Sequence, residues 1–492
     1  MSGVASGWSR SQSRSLWPRF LQTLSLVLGL LLMGGEVGAG QAHHFTAASG
    51  MQVYLVESHA VPMMEVTIMT PGGSQHEPEK KAGLASLTAW MMNEGGGDYT
   101  PEAFQERLEF YGIDLSGSAG RDVLELSMTT LSENAEIAWA MLGDAVLRPR
   151  FDQEAFERAR RERRAELIKS KERPGSRASK VLYRTLYGEH PYAHPVNGTL
   201  ASVENLTLED IKGFFKQTFH GPSMVLSVAG DVTPDQLRGL IDKHLGALDS
   251  TPSPIKPPPM AQPSIHGSIN HIEMNVPQTT LRIGVVGIDR HDPDFYPMII
   301  MNQILGGGGF TSRLNEEVRE KRGLTYGVFS YFSPLTARGP FVIGLETKTS
   351  TAAEALKVVH DEIEKMANKG VTDQEMADIK RYLTGSFPLR LDGLGRLSGI
   401  WARIGYYKRG LDYLDKWQDR IRAVTRADVS RVARRLLKIP KLHVVTVGKG
   451  SQPPKLPTPA EKRAEMAPNR ATPEKVAPKK VAPQRMESGH GS

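Results

Sequence analysis

The 492-residue sequence contains no cysteine, so it can form no disulfide and can use no thiol as a nucleophile or a lipid attachment point. Its most apolar stretch, residues 24–33, has ten residues, against roughly 20 for a membrane-spanning helix. The net charge is +7, but residues 1–42 carry +2 and residues 451–492 carry +4, which leaves +1 for the body. These features argue against cysteine chemistry, a bilayer-spanning core and nucleic-acid binding.

The two ends differ from the body in composition. Three arginines within the first 19 residues precede the apolar run, and small residues follow from Gly38 to Ala42, which is the layout of a secretory signal. We therefore expect residues 1–42 to be a signal peptide, cleaved near Ala42 rather than retained as an anchor. The chain would be exported, either periplasmic or secreted, with no stable membrane span. Residues 451–492 hold eight prolines among Lys, Glu and Ala, so we expect a disordered Pro/Lys-rich tail.

The body divides into two similar halves. The segment 250–263 is rich in proline, which excludes a helix or a central strand. Thr207 to Asp210 opens an amphipathic helix with a capping box, and a strand pattern follows at 224–230. Thr425 to Asp428 repeats this arrangement 218 residues later, before a second strand pattern at 442–448. The constant interval indicates a duplicated domain.

We therefore predict an N-terminal domain at 43–249 and a C-terminal domain at 264–450, joined by the linker 250–263. Predicted strands open each half, at 52–55 and 64–69 and again at 272–275 and 280–287. The alternation at 124–128 indicates half-buried antiparallel strands, and the charged segment 151–171 indicates a largely solvent-facing helix. The expected class is α+β, each domain being a mainly antiparallel sheet with helices packed on one face.

Several segments, in the right order, resemble the pitrilysin or insulinase type of zinc metallopeptidase, also called inverzincins. These segments are Pro71 to Ser74, Lys81 to Ala85, Asn93 to Gly97, His190 to Thr199, Asn302 to Gly309, Ser312 to Leu314 and Arg319 to Tyr326. Together they cover roughly residues 46–450. The resemblance implies two homologous domains that form half of a clamshell chamber, which a second chain of the same type completes.

The metal motif of that family is degenerate here. In His-x-x-Glu-His, positions i, i+3 and i+4 of one helical face supply a ligand, a general base and a second ligand. The corresponding residues of this chain are Ser86, Ala89 and Trp90. A serine hydroxyl is a poor zinc ligand, alanine has no donor atom, and an indole offers only an N–H. We therefore predict no metal and no cofactor in this chain.

The resemblance implies that Glu166, which lies 76 positions after Trp90, corresponds to the third zinc ligand. One carboxylate cannot hold zinc, since such sites need three or four ligands. The alternative is an ion pair on a charged helix, which abundant i, i+4 charge pairs favour. His190 and His194 are also four residues apart, but the proline after each favours extended backbone and a loop-stabilising role.

The resemblance also implies functional roles in the second half. Family members that cleave peptides have an Arg and a Tyr at a seven-residue spacing that contact the substrate backbone, and these match Arg319 and Tyr326. A guanidinium and a phenol suit this task as donors to a carbonyl or an oxyanion. The alternative is a Tyr packed on a strand and an Arg paired with Glu316 or Glu320. The run Gly306, Gly307, Gly308 and Gly309 is the predicted substrate-contacting loop, because it exposes backbone N–H groups.

We interpret the chain as the metal-free, non-catalytic subunit of an exported heteromeric zinc metallopeptidase, inactive alone. Its partner would be a homologous subunit with an intact His-x-x-Glu-His motif that holds the zinc, and the substrate would be a peptide. Arg319 and Tyr326 would act in trans with that partner. The alternative is a proteolytically inactive scaffold or peptide-binding protein of the same fold. The residues at 86, 89 and 90 argue against an independently active peptidase.

Overall fold

The computed structural model describes residues 42–450. The expected signal peptide, apart from Ala42, and the expected tail lie outside the described residues. Within residues 42–450, no helix is both long and apolar enough to cross a membrane.

The described residues form two sheets. The strands of the first are β1 His43–Thr46, β2 Gln52–Glu57, β3 Met63–Pro71, β4 Asp114–Ala119, β5 Val123–Leu131 and β6 Val225–Gly230, in the spatial order β1-β2-β6-β3-β5-β4. The strands of the second are β7 Ser268–Glu273, β8 Gln278–Val286, β9 Thr325–Phe332, β10 Pro340–Lys348 and β11 His443–Gly448, in the order β7-β11-β8-β10-β9. All pairs are antiparallel except β2 with β6 and β7 with β11.

The α-helices of the first half are α1 Leu84–Met91, α2 Pro101–Phe110, α3 Ala135–Leu147, α4 Gln153–Lys171, α5 Pro174–Tyr187, α6 Leu200–Glu204, α7 Leu208–Thr218 and α8 Pro234–Leu245. Those of the second half are α9 Phe295–Asn302, α10 Ala352–Lys369, α11 Asp373–Gly385, α12 Leu394–Tyr406, α13 Trp417–Ala423 and α14 Arg426–Leu436. Two π-helical segments, Gln303–Gly307 and Asn315–Glu320, precede β9. The predicted linker lies in a stretch without helix or strand.

The predicted duplication is confirmed. Helices α7 and α14 begin 218 residues apart, as do strands β6 and β11. Both helices open with the predicted capping box, in which the threonine hydroxyl and the aspartate three residues later exchange bonds with backbone N–H groups. The order β2-β6-β3-β5-β4 recurs as β7-β11-β8-β10-β9, with the parallel pair in the same place. The α+β class with two sheet-and-helix domains is therefore correct.

The two halves exchange one helix each, which the sequence did not reveal. Helices α1 and α3 pack on the first sheet, and α10 packs on the second. Helix α12 of the second half packs on β2, β3 and β6, where Ser398 Oγ donates to Thr67 Oγ1 at 2.8 Å. Helix α5 of the first half packs on β8 and β11. Each sheet thus carries a helix from the other half, so no single cut in the sequence separates two fully covered sheets.

A buried carboxylate, Asp122, joins residues of both halves and is only 1% exposed. Its Oδ1 accepts from the Tyr192 hydroxyl at 2.5 Å, and its Oδ2 accepts from the Tyr407 hydroxyl at 2.9 Å and the Thr336 N–H at 2.8 Å. The Tyr192 oxygen in turn accepts from the Ala337 N–H at 3.0 Å. Burial, and then the carboxylate, raises the pKa of Tyr192, so the phenol stays a donor.

The loop that carries Tyr192 is held by His190. Its Nδ1 accepts from the Tyr192 N–H at 3.1 Å, and its Nε2 lies 2.8 Å from the carbonyl of Pro259 in the linker. These bonds agree with the predicted loop-stabilising role. The loop therefore fixes the position of the phenol that reaches Asp122.

We expect Asp122→Ala to lower the free energy of unfolding by about 3 kcal/mol or more. The substitution leaves two phenols and an amide without their acceptor, and each buried unsatisfied group costs about 1–3 kcal/mol. Urea unfolding of the full chain measures this. Asp419→Ala, at a side chain that is 77% exposed, is the matched control and should have little effect. An Asp122→Ala midpoint equal to that of the wild type would contradict the role assigned to the carboxylate.

Candidate functional site

Helix α1 forms where the degenerate metal motif was predicted. Leu84 to Ala89 are buried, and Ala85, Leu87 and Ala89 are 0% exposed. The Ser86 hydroxyl donates to Asn197 Oδ1 at 3.2 Å. Since the helix is held by its apolar side chains, it keeps its place without any metal ligand.

An arginine lies between Trp90 and Glu166, the two positions that correspond to the second and third zinc ligands of the family. Trp90 is partly buried, and its Nε1–H donates to Glu94 Oε1 at 3.2 Å. The guanidinium carbon of Arg163 on α4 lies 5.2 Å from the centroid of the Trp90 ring. Arg163 Nη1 also donates to Glu166 Oε2 at 2.9 Å. The structure thus brings Trp90 and Glu166 to one protein cation, Arg163.

Arg163 is 8% exposed, and burial lowers the pKa of its guanidinium, an effect that Glu166 partly offsets. The ion pair predicted as the alternative role for Glu166 is therefore present. Sequence reasoning missed Arg163, because it is one of many arginines on a charged helix. Its only sequence signal is the i, i+3 spacing to Glu166.

A buried acid, Glu77, supports the start of helix α1. Glu77 is 4% exposed, and its two carboxylate oxygens accept from the N–H groups of Gly83 and Ala85, each at 2.9 Å. These amides lie at the start of α1, where backbone donors lack partners within the helix. Burial raises the pKa of Glu77 to about 8, although the amide bonds act in the opposite direction. Sequence reasoning missed this cap, because Glu77 lies outside the local capping-box spacing.

The residues at this position do not fit zinc. One carboxylate is already paired with a guanidinium, and the remaining donors are a hydroxyl, an amide oxygen and an indole N–H. Between residues 42 and 450, no group of three or more His, Asp or Glu side chains is placed to hold a metal ion.

Arg319 and Tyr326 lie on adjoining elements of the second half. Arg319 is the second-last residue of the second π-helical segment, and its side chain is 32% exposed. Its Nη1 lies 3.2 Å from Glu320 Oε1, and its guanidinium carbon lies 4.6 Å from the ring centroid of Phe310. Tyr326 is 92% exposed, on the edge strand β9. The ion pair expected under the structural alternative is therefore observed for Arg319, whereas Tyr326 is not packed.

The glycine run is explained by close packing as well as by the turn. A Cβ on Gly306 would lie 2.8 Å from Ser330 N, and one on Gly307 would lie 2.3 Å from Asn302 Nδ2. Gly309 has a φ of +61°, a region that side chains disfavour. Gly306 thus lets the π-helical turn approach β9, Gly307 lets it approach the end of α9, and Gly309 serves the turn itself. Their contact with a substrate stays a prediction.

Comparison with known proteins decides the family. Residues 52–200 match the family model described as Insulinase (Peptidase family M16), and residues 205–383 match the one described as Peptidase M16 inactive domain. A crystal structure of a peptidase M16 inactive domain from Pseudomonas fluorescens is 32% identical, with a TM-score of 0.79, over 84% of this chain and 100% of that one. The chain belongs to the M16 insulinase family.

Its relatives in the M16 family carry differing names. The non-peptidase homolog YmxG of Helicobacter pylori is 28% identical over 79% of this chain and 88% of its own length. An uncharacterized zinc protease of Streptomyces coelicolor is 26% identical over 86% of this chain and 94% of its own length. With the substituted motif and the match to the inactive domain, this chain is an inactive-type M16 protein.

We expect the protonation of Glu77 to make stability depend on pH. The carboxyl pKa is about 8 in the folded chain against an ordinary 4.5, so between these values the folded chain binds more protons than the unfolded one. Stability therefore falls as pH rises through that range. Glu77→Gln should remove this decline, which urea unfolding at about pH 5 and about pH 8 measures.

The matched control for this measurement is Glu106→Gln, an exposed glutamate on α2. Its decline between the two pH values should equal that of the wild type. An unchanged decline in Glu77→Gln would show that the pH dependence comes from another group.

Proposed function

We propose that this chain is the metal-free subunit of an exported, two-subunit M16 zinc metallopeptidase. The observation that carries the proposal is the contrast between the two halves. In the first half, where the family has its metal site, Arg163 pairs with Glu166 and lies over the ring of Trp90. In the second half, Tyr326 is 92% exposed on the free edge of a sheet.

The proposed division of labour follows from that contrast. The partner, a homologous subunit with an intact His-x-x-Glu-His motif, would bring zinc, which activates water and polarises the scissile carbonyl. This chain would form half of the chamber and contribute two donors. The Arg319 guanidinium and the Tyr326 hydroxyl would bind the substrate carbonyl as its oxygen becomes negative. Oxyanion stabilisation needs no metal of its own, so the two tasks can lie on different chains.

The geometry of the donors supports this role. Tyr326 has no hydrogen bond within the described residues to compete with a substrate, and its exposure leaves the phenol accessible. Arg319 lies against the ring of Phe310, which is itself 72% exposed, and this contact limits the directions in which the guanidinium can point. Within the described residues, no hydrogen bond and no cation–π contact joins Arg319 to Tyr326, so each donor is free of the other.

A second candidate function is a peptide-binding or scaffold protein with no part in cleavage. The ion pair of Arg319 with Glu320 favours it, because a guanidinium already paired has less to gain from a substrate carbonyl. Only the first function predicts that substituting Arg319 slows peptide cleavage by the assembled pair.

The partner is identified by purifying the full chain from its native host and analysing what accompanies it by mass spectrometry. In the resulting pair, we expect Arg319→Ala or Tyr326→Phe to lower the rate of peptide cleavage by about 10²-fold or more, the effect of one lost oxyanion donor. Assembly should be unaffected, since neither substitution removes a large apolar surface.

The matched control is Arg434→Ala, at an exposed position on α14, and it should leave the rate unchanged. An assembled pair that carries both Arg319→Ala and Tyr326→Phe and still cleaves at the wild-type rate would contradict the proposal. That result would leave the scaffold function.

A further inference from the structure

A cavity of about 420 Å³ lies in the second half, between the C-terminal ends of β8 and α14 and the start of β11. Its size is that of a small-molecule site. The cavity is remote from Tyr326, which lines a separate depression with Gln278 at the other end of β8. From Gln278 to Val285, which lines the cavity, the strand extends about 24 Å at 3.4 Å per residue.

Two of the three cations that line the cavity form no ion pair. Arg435 is paired with Asp292 and with Asp294, so its charge is balanced. By contrast, neither Arg338 nor Lys441 forms an ion pair within residues 42–450, although Arg338 helps to lower the pKa of Asp292. The lining holds three cations, Arg338, Arg435 and Lys441, against one carboxylate, Asp292. Arg338 Nη1 donates to the Ala261 carbonyl at 3.4 Å, and its Nε is buried without a hydrogen-bond partner. The cavity therefore has a net positive charge.

A buried histidine adds a neutral donor. His443 is 5% exposed and lines the cavity. Its Nδ1 lies 2.9 Å from Ser268 Oγ, which accepts from Asn270 Nδ2 at 3.2 Å. We take the Ser268 hydroxyl as the donor to Nδ1, which puts the ring hydrogen on Nε2. His443 Nε2 is buried and has no hydrogen-bond partner within the described residues. An unsatisfied buried donor of this kind points to a missing acceptor.

The rest of the lining is apolar. Leu186 from the exchanged helix α5, Val285 and Val286 from β8 and Leu436 from α14 all line the cavity, and each is less than 9% exposed. Such a wall favours an apolar group over a hydrated inorganic ion.

We propose that this cavity binds a small organic anion, with its carboxylate or phosphate head at Arg338, Lys441 and His443 and its apolar body against Leu186 and Leu436. The head supplies the acceptors that the buried Arg338 Nε and His443 Nε2 lack and balances the two unpaired cations. The body covers the apolar wall. The cavity has no lining residue in common with the depression at Tyr326, and Arg319 does not line it, so this proposal does not depend on the proposed function.

The test is isothermal titration calorimetry of the full chain with hexanoate and with hexyl phosphate, which carry the two candidate heads on one apolar body. We expect saturable binding of at least one, and the tighter of the two identifies the head. Lys441→Gln and Arg338→Gln should each weaken that binding about tenfold or more, the effect of losing a charge-assisted contact. Lys438→Gln, an exposed lysine three residues away, is the matched control and should bind as the wild type does.

Three results would overturn the proposal. They are no binding of either anion, binding of neutral hexanamide as tightly as hexanoate, and equal losses in Lys438→Gln and Lys441→Gln. The first two results are measured on the wild-type chain, so they do not depend on whether the variants fold. In nuclear magnetic resonance spectra, the ligand should shift the ring signals of His443 and leave those of exposed His59 in place. Shifts at His59 alone would place the ligand elsewhere.

Discussion

One buried carboxylate, that of Asp122, accepts hydrogen bonds from both halves of the described chain. Asp122 follows β4 in the first half, yet two of its partners, Thr336 and Tyr407, belong to the second half. A carboxylate that is 1% exposed must have donors to compensate for lost hydration, and it obtains them only when both halves are in place. Because α5 and α12 each cover the sheet of the other half, the apolar faces of both sheets are fully covered only when both halves are in place. The two duplicated domains therefore stabilise each other.

The helix that corresponds to the metal motif is held in place without metal ligands. Helix α1 is fixed by Ala85, Leu87 and Ala89 in the core and at its start by Glu77, whose two oxygens accept from backbone N–H groups. Arg163 then supplies a cation beside Glu166, so the remaining acid has a partner without a metal. The helix thus has a structural role that does not depend on catalysis.

Local patterns predicted the parts of the fold that depend on local bonds. The capping boxes at Thr207 and Thr425 and the 218-residue interval were read from the sequence and are present in the structure. An amphipathic pattern shows that a helix buries one face but does not show which sheet covers that face. The exchange of α5 and α12 was therefore not predictable, although both are amphipathic helices.

The candidate site was predicted to a similar extent. Ser86, Ala89 and Trp90 were placed on one helix because their spacing has the helical period. Glu77 and Arg163 were missed because their roles depend on burial and on contacts between elements, for which neither residue type gives a signal. The exposure of Tyr326 was expected only from the family resemblance, because the local pattern alone favours a packed aromatic residue in a strand.

The central proposal is that Arg163, rather than a metal, is the cation beside Glu166 in this chain and that a partner subunit holds the zinc. Elemental analysis of the isolated chain and of the assembled pair tests this most directly. The account predicts no stoichiometric zinc in the isolated chain and one zinc for each pair. One tightly held zinc in the isolated chain, lost on Glu166→Ala, would contradict it.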